Sequence, residues 1–336
     1  MNNKIIENIT LYASSLTIII GILGGICNII TLTSKEFRFN SCGFYFLCST
    51  IFDLLYLFIS ALTRLIIDHL SKMKIDQTLF FCKCRAYLVI LTPSLSTLFL
   101  MLTTIDRYLS TSSSRKRRHL SRIHIAWPIA ILSIMIILIT HSPILFFNQI
   151  EKTNVTNNNY RCVPTASFYT ILMNIYLFLF NPFVVYTTMF IFSLITLIRM
   201  RTLQCRLGSL NHRLRRHRII DRHLITIMFV HVGLAMAITF VRCTFLVYTF
   251  LTNNTKKNLS RITIELFLDK FSITLYYMNF AKSFPVNTIT SILFRRIFHQ
   301  RIIHLFTQIC SLCTRKQLII HHNIIKRRPA NDEQYL

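Results

Sequence analysis

An aspartate and an arginine stand side by side where a long uncharged run ends: Asp106-Arg107-Tyr108 follows Ala86–Ile105, which holds no ionisable Asp, Glu, Lys or Arg. A carboxylate placed there can hold the neighbouring guanidinium, and a change of conformation can release it to another partner. Asp53 and Arg242 are further charges inside otherwise apolar segments. An ionisable group in such a setting is costly and usually carries function. Hydrolytic and metal motifs are missing: there is no His-Glu-x-x-His, no Gly-x-Ser-x-Gly and no P-loop. Enzyme activity is therefore not expected. Of the ten cysteines, Cys82, Cys84 and Cys162 flank apolar runs on what the charge pattern makes the oxidising side. That side favours a disulfide. The pair expected is Cys82–Cys162, with Cys84 as the alternative to Cys82. Cys310 and Cys313 follow an amphipathic stretch and suit palmitoylation.

These residues need elements to position them, and composition says which. Apolar types make up 53% of 336 residues and charged types only 15%, with a mean hydropathy of +0.50. Soluble domains carry about 25% charged residues, so a soluble globule is excluded. A membrane helix needs about 20 apolar residues. Seven segments qualify: about Leu11–Thr33, Cys42–Leu62, Ala86–Ile105, Ile125–Phe147, one within Val163–Ile198, Leu224–Phe250 and Phe267–Leu293. Backbone groups in lipid must bond within their own segment, which predicts helices. Gly21-x-x-x-Gly25 in the first of them suits close packing, against a neighbouring helix or a second copy. The polar Met1–Glu7 and the length of the first apolar run argue against a secretory leader.

Basic residues set the orientation. The net charge is +26. With the N-terminus outside, the inner pieces are Ser34–Ser41, Asp106–His124, Arg199–His223 and the tail after Leu293. They carry 24 of the 38 Lys and Arg. This reads as a membrane-facing charge rather than a nucleic-acid footprint. The four N-x-[ST] sequons, at Asn8, Asn154, Asn253 and Asn258, all fall outside in the same topology. The expected organisation is an extracellular segment at 1–10, a seven-helix domain at 11–300 and a basic cytoplasmic tail at 301–336, in the plasma membrane.

With these residues in place, the chain resembles a rhodopsin-like (class A) G-protein-coupled receptor. Asp106-Arg107-Tyr108 looks like the family's DRY motif, and Cys82 stands twenty-five residues before Arg107, as in the family. Asn28, Asp53, Trp127 and Pro182 match single signature residues of four helices. Phe294-Arg295-Arg296 with Phe298 looks like the start of a short cytoplasmic eighth helix. Asn40-Ser41-Cys42, Cys82-Lys83-Cys84-Arg85-Ala86-Tyr87, Asp221-Arg222-His223-Leu224 and Ser283-Phe284-Pro285 resemble invertebrate FMRFamide-type peptide receptors and related orphan receptors. Two motifs depart from the family. The helix-six Cys-Trp-x-Pro is absent, with Thr239-Phe240-Val241 in its place. The helix-seven Asn-Pro-x-x-Tyr is reduced to Phe284-Pro285-Val286-Asn287-Thr288.

The resemblance implies an all-α seven-transmembrane bundle that senses an extracellular ligand and activates a heterotrimeric G protein. Arg107 would meet the G protein, with Asp106 its restraint and Asp221 a second one. Asp53, with Ser96 eleven residues before Arg107, would bind a sodium ion near Asn28. Phe284 stands where the family has an Asn ligand, and Lys282 offers Asp53 another partner. Val89 replaces the acid that binds amines, and Met278 replaces the retinal lysine. The resemblance to peptide receptors implies a peptide as the expected ligand, in a pocket that also takes in Arg64, Asn174 and Arg242. The alternatives are a chemosensory receptor for a small molecule and, from another class, a transporter or channel.

Overall fold

The computed structural model describes residues 3–63, 78–112, 114–152, 160–164, 168, 176, 184–206, 212–252, 255 and 257–326. The five longest apolar runs among the described residues are helices. The first, α1 (Asn3–Leu32), is followed by a single turn α2 (Lys35–Arg38) and by α3 (Ser41–Tyr56). The last two turns of this second span, Leu57–Leu62, loosen into a π-helix. Then come α4 (Leu79–Ser110), the short α5 (Arg115–Leu120), α6 (Ile123–His141) and α7 (Pro143–Phe147). A hairpin of β1 (Asn148–Lys152) and β2 (Tyr160–Pro164) follows, paired antiparallel with Ile150 opposite Cys162. The elements described after it are helices: α8 (Tyr186–Arg206), α9 (His212–Leu251), α10 (Leu259–Ala281), α11 (Ser283–Thr290) and α12 (Ile292–Lys326).

Among the described residues, five helices are long and apolar enough to cross a membrane: Asn8–Leu32, Ser41–Leu62, Leu79–Ser110, Ile123–Phe147 and Ile225–Leu251. The fifth span of the sequence is described only from residue 184, and Pro182 lies outside the described residues. The seventh is α10 with α11. Charges on α10, Asp269 among them, make it less apolar than those five, yet it packs into the bundle against α1. The eighth helix is present and longer than the sequence suggests. It runs unbroken through residue 300 to Lys326, and Arg301 ties it to the end of α1 through the Thr33 carbonyl at 2.7 Å.

Three packed clusters hold the helices. Phe46, Tyr186, Met189, Ile227, Val232 and Phe294 join α3, α8, α9 and α12. Tyr56, Leu57, Tyr277 and Phe280 join the second span to α10. Tyr45, Leu95, Phe99 and Ala130 join α3, α4 and α6. The outside is as apolar as the inside. Trp127 is 55% exposed and Ile139 65%, which suits a lipid solvent and not water.

Small residues set the closest approaches. A Cβ on Gly21 would lie 2.5 Å from Leu57 Cδ1, and one on Gly25 would lie 2.4 Å from Leu54 Cδ2. The Gly-x-x-x-Gly face thus receives neighbouring helices of the same chain. Gly43 is tighter in kind, because its Cβ would stand 2.4 Å from the Phe37 carbonyl oxygen, a backbone atom with little freedom to yield. Gly43→Ala is expected to remove about 1–3 kcal/mol of stability by overpacking, seen as a lower thermal midpoint of the purified protein.

Candidate functional site

The polar residues gather in three tiers. At the inner end, the last turn of α4 presents Asp106 and Arg107, only 4% and 3% exposed. Arg107 Nη2 donates to Asp106 Oδ2 at 3.0 Å and to Asn40 Oδ1 at 2.6 Å. Asp106 Oδ1 accepts from Ser41 Oγ and from Ser121 Oγ, both at 2.7 Å. Asn40 is also the N-cap of α3, accepting from the Cys42 amide at 3.3 Å. One loop and two helix ends therefore converge on a single carboxylate–guanidinium pair. Tyr108 points elsewhere: its ring meets Phe192, centroid to centroid 5.1 Å, and carries the Arg199 guanidinium 4.5 Å above it. Asp221 lies on α9, but its side chain falls outside the described residues.

In the middle tier, Asp53 is buried between α3, α4 and α11. It accepts a short hydrogen bond from Ser96 Oγ and one of 3.1 Å from Ser283 Oγ. Ser49 Oγ donates to the Ser96 carbonyl at 3.1 Å. Ser283, not the Phe284 position, is thus what helix seven offers Asp53. Phe284 turns instead to Phe294 and Phe298, with ring centroids at 6.1 and 5.1 Å. A second chain of bonds crosses the bundle beside it. His231 Nε2 donates to Asn287 Oδ1 at 3.0 Å, Asn287 Nδ2 to Asn28 Oδ1 at 2.7 Å, and Asn28 Nδ2 to Thr50 Oγ1 at 3.0 Å. That chain joins α9, α11, α1 and α3. Buried amides of this kind are satisfied or destabilising, and here each finds a partner. No sequence pattern singles out His231. Asn287, two residues past Pro285 in the altered motif, is the residue a reader of the sequence could have followed.

In the outer tier, Arg242 Nη1 donates to Asp269 Oδ1 at 2.9 Å and to Ser272 Oγ at 2.7 Å. The guanidinium is 16% exposed and the carboxylate 38%. Farther out, Glu265 accepts from Lys257 and from Arg261, the latter at 3.1 Å, and the Tyr248 hydroxyl donates to it at 2.9 Å. The Lys257 ammonium, hydrogen-bonded to it, holds the Glu265 carboxyl below the usual carboxylate range. These contacts bind α9 to α10 at their outer ends. Cys82, at the start of α4, is joined to Cys162 on β2, so the hairpin is fastened beside the mouth of the bundle. Cys84 is free.

The structure does not gather every expected pocket residue around Arg242. Val89 is half-buried on α4, while Met278 is 46% exposed on α10. Arg64, Asn174, Asn154 and Asn253 lie outside the described residues, as does the side chain of Cys313. Asn8, Asn258 and Cys310 are exposed. Thr239 is buried, whereas Phe240 and Val241 face outward at 62% and 45% exposure. With no proline there, α9 continues without a break for 40 residues.

A bundle of membrane helices, a disulfide that ties an outer hairpin to the third span, and a buried Asp-Arg pair at the opposite end define a membrane receptor. The chain matches the family model for the 7 transmembrane receptor (rhodopsin family) over residues 26–281. It belongs to this family, whose members are multi-pass receptors of the plasma membrane and not enzymes. None of the curated proteins matches the chain.

Proposed function

We propose that this receptor binds an extracellular peptide at its outer tier and activates a heterotrimeric G protein through Arg107. The observation that carries the coupling half is the closed state of the Asp106–Arg107 pair, held by Asn40, Ser41 and Ser121 at the inner end. An agonist acts by binding the open state better than the closed one. Opening exchanges the partners of Arg107 for groups on the G protein. The orientation follows the basic residues, with the N-terminus extracellular and the C-terminus cytoplasmic. Asn8, Asn154, Asn253 and Asn258 then face the glycosylating side, and Cys310 and Cys313 the acylating side. The arrangement at Asp221, among the arginines that open helix six, suits a second restraint on the closed state.

The peptide half rests on Arg242 and Asp269. An ion pair whose carboxylate is 38% exposed offers an incoming group one donor and one acceptor side by side. A carboxamide presents the matching acceptor and donor, its C=O and its NH2. That chemistry favours a C-terminally amidated peptide, in keeping with the resemblance to FMRFamide-type receptors. Among the described residues the hairpin at the mouth has two strands only, and an extended peptide can bond to a strand edge. Val89, lacking a charge, offers an amine nothing.

The test is a G-protein reporter in cells with confirmed surface receptor, challenged with matched amidated and free-acid peptides. The expected result is a response to amidated peptides whose potency falls about tenfold or more in Arg242→Ala and in Asp269→Ala, the equivalent of about 1.4 kcal/mol. A response confined to non-peptide small molecules, or a substrate flux that survives Arg107→Ala, would overturn the reading.

A further inference from the structure

Asp53 lines a cavity of about 20 Å³ whose wall also includes Ser49, Ser96, Ser283, His231 and Lys282. A space of that size holds about one water or one small ion. The carboxylate and hydroxyl oxygens are the hard donors that a sodium ion takes, and the resemblance to the family leads to sodium at this place. Lys282 is the obstacle. It stands at the break between α10 and α11, and its ammonium donates to the Asn279 carbonyl at 2.8 Å and to the Asn279 side chain. A cation there is well placed, since the last carbonyls of a helix carry the negative end of its dipole. Asp53 directs its oxygens to Ser96 and Ser283, and it and Lys282 both line the one small cavity. Among the described residues Asp53 is the single acidic one in its wall. One carboxylate balances one cation, and a second full positive charge in a nearly dry site has nothing to offset it.

We propose that the Lys282 ammonium is the resident cation of this site, so that the receptor takes no sodium there and its conformational balance does not respond to sodium. The counter-ion is covalently tethered. The partner of Asp53 then cannot dissociate and is moved only by a rearrangement of the α10–α11 break. The substitution that creates a sodium site is the removal of the Lys282 charge.

The test uses the full-length purified receptor in lipid, with sodium chloride exchanged for choline chloride at constant ionic strength and thermal unfolding as the readout. Wild type is expected to unfold at the same midpoint in both salts. Lys282→Met is expected to gain a saturable, sodium-dependent rise of the midpoint, and Asp53→Asn added to it is expected to abolish that rise. Should Lys282→Met fail to fold, Lys282→Gln replaces it, since its amide still reaches a polar partner without the charge. A saturable sodium response of wild type that is lost in Asp53→Asn would overturn the proposal. So would a folded Lys282→Met or Lys282→Gln receptor that stays indifferent to sodium.

Discussion

Cys82→Ala and Cys162→Ala are each expected to remove the folded receptor from the cell surface, and the double variant is expected to be no worse than either. The bond closes a loop of 80 residues. In a chain-entropy treatment a loop of that length is worth about 4–5 kcal/mol, against a total stability of about 5–15 kcal/mol for a folded protein. Its loss also frees the hairpin, because Ile150 pairs opposite Cys162 and the bond to Cys82 anchors that register to α4. The double variant removes the same single link, so its effect should not add to theirs. Cys84→Ala is the control. Cys84 is free and only partly buried, and surface levels should stay near wild type. Surface immunolabelling with an extracellular tag checks all four variants.

Arg107→Ala is expected to silence signalling while leaving surface amounts unchanged, and Asp106→Asn is expected to do the opposite. Arg107 is 3% exposed and held by Asp106 and Asn40. If it is the group passed to the G protein on opening, truncation removes a contact made only in the active state. In Asp106→Asn the amide oxygen still accepts from Ser41 and Ser121, but the NH2 that replaces Oδ2 cannot accept from Arg107, so the ion pair and its hydrogen bond are lost. That loss is about 1–1.5 kcal/mol, or about a tenfold shift toward the open state. Ligand-independent output of a second-messenger reporter should rise by about that factor. The sign separates the account from a purely structural role, in which both variants would lose signal together.

Much of the bundle was legible because lipid imposes a simple rule. A run of apolar residues long enough to cross becomes a helix, and basic residues stay on one side. Helix ends were less legible. α9 begins at His212, twelve residues before the apolar run, because a basic segment can be helical once it leaves the membrane. α10 begins at Leu259 for a similar reason, since Lys257, Arg261 and Glu265 stabilise its first turns by pairing. The hairpin was hidden, because strands of five residues are shorter than any periodic signal that could announce them.

The same contrast holds inside the site. The sequence marks Arg242 only as a charge inside an apolar segment, and the structure gives it Asp269, one helix away at 2.9 Å. No motif marks Ser283, because the position of the family's asparagine falls on its neighbour, Phe284. Beyond the helix interruption at Lys282, Ser283 and Asn287 face the core while Phe284 packs toward α12. A one-residue offset at a helix break cannot be read from motif spacing. The roles of Asn40, Ser41 and Ser121 were equally hidden, because they depend on two loops meeting at one carboxylate.

The most direct measurement is GDP–GTP exchange on a panel of purified heterotrimeric G proteins, catalysed by disulfide-bonded receptor in vesicles without added ligand. The expected order for at least one heterotrimer is Asp106→Asn fastest, wild type next and Arg107→Ala at the rate of empty vesicles. Equal rates for the three folded proteins across the whole panel would contradict coupling through Arg107.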